Sequence, residues 1–246
     1  MNRFFRLLIS FSFLVLSVES SARVFDMRNE EKGAYFSGTL SNVTVGSSLY
    51  QNESSASQYT EGVRTLTGGE FGLFRTAERA AIKLGFEFLI PTEVKDAAAS
   101  LNDVRQYKIK STGIIYAPKL GVDLNLISRG TFRWLLSGSV GWARLNYTNI
   151  YTEVVLPAGD HSVEYIADEV TWTGSTGLEF FMMDTTTAII EVGYRSLNFS
   201  KMKYHKSVTT FTGEKNGGDA VKNQDGSPRT ANFGGIFGSL SFRFYF

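Results

Sequence analysis

Phe233-Gly234-Gly235-Ile236-Phe237-Gly238-Ser239-Leu240-Ser241-Phe242-Arg243-Phe244-Tyr245-Phe246 is the stretch on which the fold turns. Ile236, Leu240, Phe242, Phe244 and Phe246 fall on one face, and Ser239, Ser241 and Arg243 on the other. Successive side chains of a strand point to opposite faces, so this alternation marks a strand between an apolar and a polar environment.

The same pattern recurs upstream. In Ala80 to Ile90, Ala80, Ile82, Leu84, Phe86, Phe88 and Ile90 oppose Ala81, Lys83, Gly85, Glu87 and Leu89. In Gly113 to Leu126 the apolar face runs from Ile114 through Leu120 to Leu126, against Lys119, Gly121, Asp123 and Asn125. Thr131 to Trp142, Val170 to Met182 and Ala188 to Leu197 alternate in the same way. Thr65 to Arg75 and Ala34 to Thr44 are weaker, and the residues of Ala34 to Thr44 do not decide a facing. Eight strands result. Short turns at Thr76-Ala77-Glu78-Arg79, around Ser128-Arg129-Gly130 and around Asp184-Thr185 alternate with long polar segments at Val45 to Arg64, Pro91 to Lys110, Asn146 to Glu169 and Ser200 to Asn232. An even number of strands, with short turns at one end and long loops at the other, predicts an all-β, eight-stranded antiparallel up-and-down transmembrane β-barrel.

Facing follows from size. A soluble barrel of the lipocalin kind keeps its apolar side chains inside. A narrow lumen cannot hold Phe86, Phe88, Trp134, Trp142, Trp172, Tyr194 and the terminal phenylalanines together, whereas a lipid-facing wall can. Trp134 and Trp142 share a face eight residues apart, roughly 20 Å along the axis of a tilted barrel, near the ~25 Å apolar band bounded by aromatic girdles. Trp134, Trp142 and Trp172 are the expected girdle. Glu70, Lys83, Glu87, Lys119, Asp123, Arg133, Glu179, Glu191, Arg195 and Arg243 then point inward, five acidic and five basic. Unpaired buried charge is costly, so equal numbers predict a paired network. Glu70, Glu87, Lys119 and Arg195 are expected near mid-height, with Lys83, Asp123, Arg133, Glu179 and Arg243 nearer the short-turn end. The lumen of eight strands is just wide enough for side chains to fill, so a polar plug is expected rather than a pore, with an ion-pair gate as the alternative.

The start of the chain reads as an export signal over residues 1–22. Asn2-Arg3-Phe4-Phe5-Arg6 is basic, Leu7 to Val18 is apolar and Ser20-Ser21-Ala22 supplies small residues for cleavage; the apolar run is shorter than the ~20 residues of a spanning helix. Residues 23–246 are then the mature barrel. The 246 residues contain no cysteine, which excludes disulfides, thiolate metal sites and a lipidated cysteine, and a net charge of +1 gives no pull toward nucleic acid.

With the signal, eight strands, four long loops and the ending Leu240-x-Phe242-x-Phe244-x-Phe246, the chain resembles the small outer-membrane barrels of the OmpA/OmpX type. The resemblance is architectural and spans the mature chain. It implies Sec-dependent export to the Gram-negative outer membrane, and contact with outer-membrane lipid and lipopolysaccharide. It also implies that Leu240, Phe242, Phe244 and Phe246 are read by the barrel-assembly machinery, and that the barrel is a monomer. The peptidoglycan-binding domain that follows the barrel in full-length OmpA-like proteins is expected to be missing.

Catalysis finds little footing. His161, beside Pro157-Ala158-Gly159-Asp160, and His205 are the two histidines, and neither has metal-ligand spacing to a partner. Adjacent His161 and Ser162 point to opposite faces of a strand, unlike the His and Ser that lipid-A deacylases carry on one surface. The Asp/His arrangement of the ten-stranded outer-membrane proteases cannot be assembled. No catalytic residue, metal or cofactor is expected. The segment from Arg144 through Tyr147, Ile150, Val154 and Leu156, returning by Val163, Tyr165 and Ile166, keeps β-forming residues beyond the membrane band. It reads either as a hairpin protruding into the medium, whose sheet edge suits an extracellular protein partner, or as a solvated loop. The function expected is a non-enzymatic structural or surface-interaction role through the loops. The alternative is a narrow channel or OmpW-like conduit.

Overall fold

The computed structural model describes residues 32–43, 45, 49, 58–59, 62–77, 79–101, 104–129, 132–155, 159–183, 185–223 and 225–246. Eight strands form the wall: β1 (Lys32–Val43), β2 (Thr65–Ala77), β3 (Ala80–Pro91), β4 (Val104–Ser128), β5 (Phe132–Thr152), β6 (His161–Met183), β7 (Thr186–Ser196) and β8 (Gly235–Tyr245). Each pairs antiparallel with the next, and β8 pairs with β1, so the ring closes. At the seam Phe36 of β1 stacks between Phe242 and Phe244 of β8, at centroid distances of 5.2 and 5.9 Å.

The stagger is read directly from the pairing. Gly33 faces Phe74, then Lys83, Gly121, Ser139, Thr173, Arg195 and Gly235 in turn, and the circuit returns to β1 at Val43. A shift of ten residues, from 33 to 43, over eight strands corresponds to a strand tilt of about 40°.

Outward positions carry the aromatic and aliphatic side chains. Phe71, Leu84, Leu120, Trp142, Trp172, Ile190 and Leu240 are exposed large hydrophobics. The opposite register turns Tyr35, Ser37, Thr39 and Ser41 of β1 inward and leaves Phe36 and Leu40 outside. Only two large apolar residues mark that outer face, which is why its sequence does not decide a facing. Two bulges break the register near the short-turn end, at Asn125/Ile127 and Phe181/Met183. They turn Ile127 and Met183, inward by strict alternation, to the outside.

The wall differs from the alternation-based reading most on the long-loop side. The segment expected as a loop over Pro91 to Lys110 is a hairpin: Val94–Leu101 pairs with β4, and Gln58–Tyr59 pairs with Val94–Leu101. Of the two readings of Asn146 to Glu169, the structure has the hairpin: strand runs to Thr152 and resumes at His161, with β5 and β6 paired as far as Tyr151 opposite His161. β4, β5 and β6 therefore rise past their neighbours as a tall sheet. The expected leader, residues 1–22, lies outside the described residues, as do Pro157 and Ala158.

Candidate functional site

The inward face of the wall holds two layers of charge. The layer toward the short-turn end is centred on Asp123 and Glu179. Lys83 Nζ lies 2.7 Å from Asp123 Oδ1, and the Arg243 guanidinium bonds the other oxygen of the same carboxylate. Arg243 and Arg133 reach Glu179 at 3.4 and 3.6 Å. Tyr245 and Thr187 donate their hydroxyls to Glu179 at 2.7 and 2.6 Å. Phe74 closes this end, edge-on to the Tyr245 ring at 5.0 Å and under the Arg243 guanidinium at 5.0 Å.

The second layer lies roughly 10–15 Å higher by strand rise and tilt. Lys119 Nζ bridges Glu70 at 3.0 Å and Glu87 at 3.5 Å. Glu87 accepts from Arg195 at 2.6 Å, and Arg195 also donates to Ser41 Oγ at 2.8 Å. The Tyr35 hydroxyl donates to Glu70. Of the ten inward charges, nine fall into these two layers. Glu191 stands between them. It takes hydrogen bonds from the Ser175 and Ser239 hydroxyls and has no cationic partner among the described residues. It lines a cavity of about 50 Å³ that also touches Lys83, Lys119 and a row of serines and threonines. That is room for roughly three or four waters. Sequence reasoning missed Tyr35, Ser41, Thr187 and Tyr245 as members of the layers. All four lie on inward positions of their strands, so the register was the available signal.

Outside the wall the chemistry is reversed. Trp134, exposed near the short-turn end, donates Nε1–H to Thr176 Oγ1 at 2.8 Å; Trp142 and Trp172 stand at the other edge, with Trp172 beside Tyr194 at 6.0 Å. Charged pairs inside and an apolar belt outside, edged by aromatics, suit a barrel whose solvent is lipid. The fold is that of an outer-membrane β-barrel. No protein-family model matches the sequence, and no curated protein matches it. Among solved structures the barrel is similar to Neisserial surface protein A, with 7% identity, 87% of this chain and 97% of that chain covered and a TM-score of 0.47. It is similar to the attachment invasion locus protein Ail of Yersinia pestis, with 9% identity, 88% and 99% covered and a TM-score of 0.44. It is similar to OprG of Pseudomonas aeruginosa, with 13% identity, 90% and 99% covered and a TM-score of 0.43.

Above the upper charged layer the inward face of the barrel changes character within one strand register. Lys119 and Asp123 of β4 give way to Ala117 and Ile115; Ser139 of β5 to Ala143, Leu145 and Tyr147; Thr171 of β6 to Ala167, Tyr165 and Val163. Loop residues fill the space between them: Val45, Leu49 and Val63 from the first loop, and Leu197, Phe199, Met202, Tyr204, Val221, Ala231 and Phe233 around the last. The result is an apolar cap seated in the mouth.

The cap also covers the edges of the tall sheet. Lys203 and Tyr204 pair with Ile166 and Tyr165 of β6, and the His205 amide donates to the Glu164 carbonyl at 2.8 Å. The Glu164 carboxylate accepts from His205 Nδ1 at 3.0 Å and Lys206 Nζ at 3.1 Å, and those bonds hold its carboxyl below the usual carboxylate range. A depressed carboxyl pKa stabilises above the unfolded value and stops doing so as pH falls through the folded one. Acidification is therefore expected to loosen this clip. Glu164→Gln at pH 7 mimics the neutral form and should speed tryptic cleavage at Lys203 and Lys206 several-fold; an unchanged cleavage rate removes the clip from the account. The two histidines do not meet. His161 donates Nδ1–H to the Gly159 carbonyl, 2.8 Å away, and packs on Tyr151 and Phe211. No group of metal-ligating side chains occurs among the described residues.

Proposed function

We propose that the chain is a non-enzymatic integral protein of the Gram-negative outer membrane, working through the surface its long-loop end presents outside the cell. One observation carries this reading: the mouth is filled by a built apolar core, not by open loops around a pore. Ion pairs in both luminal layers add to the closure. Short turns face the periplasm in this reading, residues 1–22 act as the Sec leader, and the cap stands in the medium above lipopolysaccharide. Leu240, Phe242, Phe244 and Phe246 serve as the signal read by the barrel-assembly machinery. Trp134, Trp142 and Trp172 anchor the barrel at the membrane interfaces. The protein works as a monomer.

An extracellular protein partner meets the outer faces and the tip of the tall sheet rather than its edges. β-Strand addition needs unpaired backbone, and the chain's own segments occupy much of both edges. Val155, near the tip of the β5–β6 hairpin, is 72% exposed and is the apolar group best placed for such contact.

The second reading, a narrow conduit, is favoured by the cavity that Glu191 lines between the two layers. Planar-bilayer recording separates the two. The wild-type barrel is expected to be electrically silent, and Lys119→Ala is expected to stay silent because the cap still fills the mouth. Steady conductance that changes on Lys119→Ala or Glu87→Ala would establish the conduit instead.

A further inference from the structure

Two cations stand side by side on the outside of the barrel at its short-turn end. Lys32 of β1 and Arg75 of β2 are ladder partners, and both are exposed. Both keep the outward register, which Phe36 and Leu40 share on β1 and Phe71 and Leu73 on β2. Ladder partners hold their Cβ atoms about 5 Å apart, and like charges so placed repel. Among the described residues no carboxylate pairs with either cation. The tall sheet treats its cations differently: Lys110 lies 3.0 Å from Glu93, and Arg105 and Lys108 share Glu153. The rim around the pair only adds to the charge. Arg79 and Arg129, on two of the short turns, are exposed, and no described acidic residue lies outside the lumen at this end.

The surroundings of the pair are apolar. Ile82, the other ladder partner of Arg75, is exposed. Phe246 lies beside Lys32 and donates its amide to the Lys32 carbonyl at 3.1 Å. One row further into the belt, Ala34 lies between Phe244 and Leu73, a small side chain between two large exposed ones. By strand rise and tilt both cations stand within roughly 3 Å of the height of Trp134. Long basic side chains at that level lay their stems on apolar surface and carry their charge to the headgroups.

We propose that Lys32 and Arg75 together hold the phosphate of an anionic phospholipid in the periplasmic leaflet. The inference rests on the reading of the barrel as an outer-membrane protein with its short turns in the periplasm. The Arg75 guanidinium takes two phosphate oxygens in its planar fork, and the Lys32 ammonium takes an oxygen as a point charge. One phosphate thereby relieves the repulsion between the two. The acyl chains lie over Ala34, against Leu73 and Phe244. A zwitterionic headgroup fits less well, because its own cation meets the second basic side chain. A second copy of the chain fits less well still, since it would bring the same two cations to the contact.

The barrel folded in detergent, with equal amounts of phosphatidylglycerol and phosphatidylcholine added, is examined by native mass spectrometry. The wild-type barrel is expected to retain phosphatidylglycerol several-fold over phosphatidylcholine. Lys32→Gln/Arg75→Gln should bring that ratio close to one, with heat-modifiable mobility retained, while Lys110→Gln at the far end should leave it unchanged. Equal retention of the two lipids by the wild type, which needs no variant, would overturn the site. So would a preference that survives the double substitution. Displacement of the lipid by millimolar inorganic phosphate would overturn it in favour of a free-anion site. Failure of the wild-type barrel to float with vesicles of either lipid would instead overturn the membrane-spanning reading.

Discussion

Glu179→Ala is expected to lower the unfolding free energy of the folded barrel by about 3–5 kcal/mol, the range for removing one partner of a buried ion pair. Glu179 is fully buried and is the shared acceptor for Arg133 and Arg243, with the Tyr245 and Thr187 hydroxyls on the same carboxylate. Its loss leaves Arg133 with no carboxylate among its described contacts and Arg243 with Asp123 alone. Lys83→Ala provides the contrast. Asp123 keeps Arg243, and Lys83 is the most exposed member of its layer, at 17% for its side chain. The Lys83 variant should therefore cost far less. Urea titration of the protein folded in vesicles, followed by tryptophan emission and heat-modifiable gel mobility, measures both. Equal losses for the two variants would mean that the layer acts by packing and not by charge.

The second large effect is expected in the cap. Phe199 and Phe233 are fully buried and meet edge-on at 6.0 Å, where Asn198–Phe199 pairs with Ala231–Asn232 across the base of the last loop. Phe199→Ala and Phe233→Ala should each cost about 3–5 kcal/mol, with a double variant short of the sum because the rings touch. The loss should appear as local opening, since the ring of eight strands contains neither residue. A cost of about 3 kcal/mol multiplies the opened population by roughly 100. Tryptic cleavage between Lys201 and Lys222 in the native protein should rise on that scale while heat-modifiable mobility is retained. Loss of that mobility would show that cap and wall unfold as one unit.

The wall was legible in the sequence because its two environments alternate with the strand period. Ala80 to Ile90 and Gly113 to Leu126 state both their faces outright, and heights for nine of the ten luminal charges, all but Glu191, were read from position along each strand. The cap was not legible, for a physical reason. Alternation reports two unlike environments, and inside the cap the inward face turns apolar. Leu89, grouped by its register with Lys83 and Glu87, is a buried cap residue. Leu145 and Tyr147 keep the inward register, but nothing local in the sequence marks the height at which the lumen stops being wet. Pro91 to Lys110 read as a loop because Lys95, Lys108 and Lys110 dominate its composition. Its lysines decorate the outer face of a sheet whose inner face, Val94, Tyr107 and Ile109, is buried. Tyr245 and Phe237 hide in a similar way. An aromatic residue in the last strand suggests lipid, yet both occupy inward register and pack against Arg133 and Arg195 respectively.

The height of β4, β5 and β6 has a consequence for how the chain enters the membrane. In an outer-membrane protein inserted from the periplasm, everything above the belt must first pass through it. For the β5–β6 hairpin that cargo includes Arg144, Glu164 and Asp168 on one face and Leu145, Tyr147 and Tyr165 on the other. The charged face resists entering hydrocarbon, and the apolar face resists leaving it until the cap can close. Long-range pairings of this kind are slow because loop closure precedes any gain in contacts. The passage of this hairpin is the expected slow step of insertion, and shortening the hairpin above Trp142 should relieve it without touching the charged lumen below.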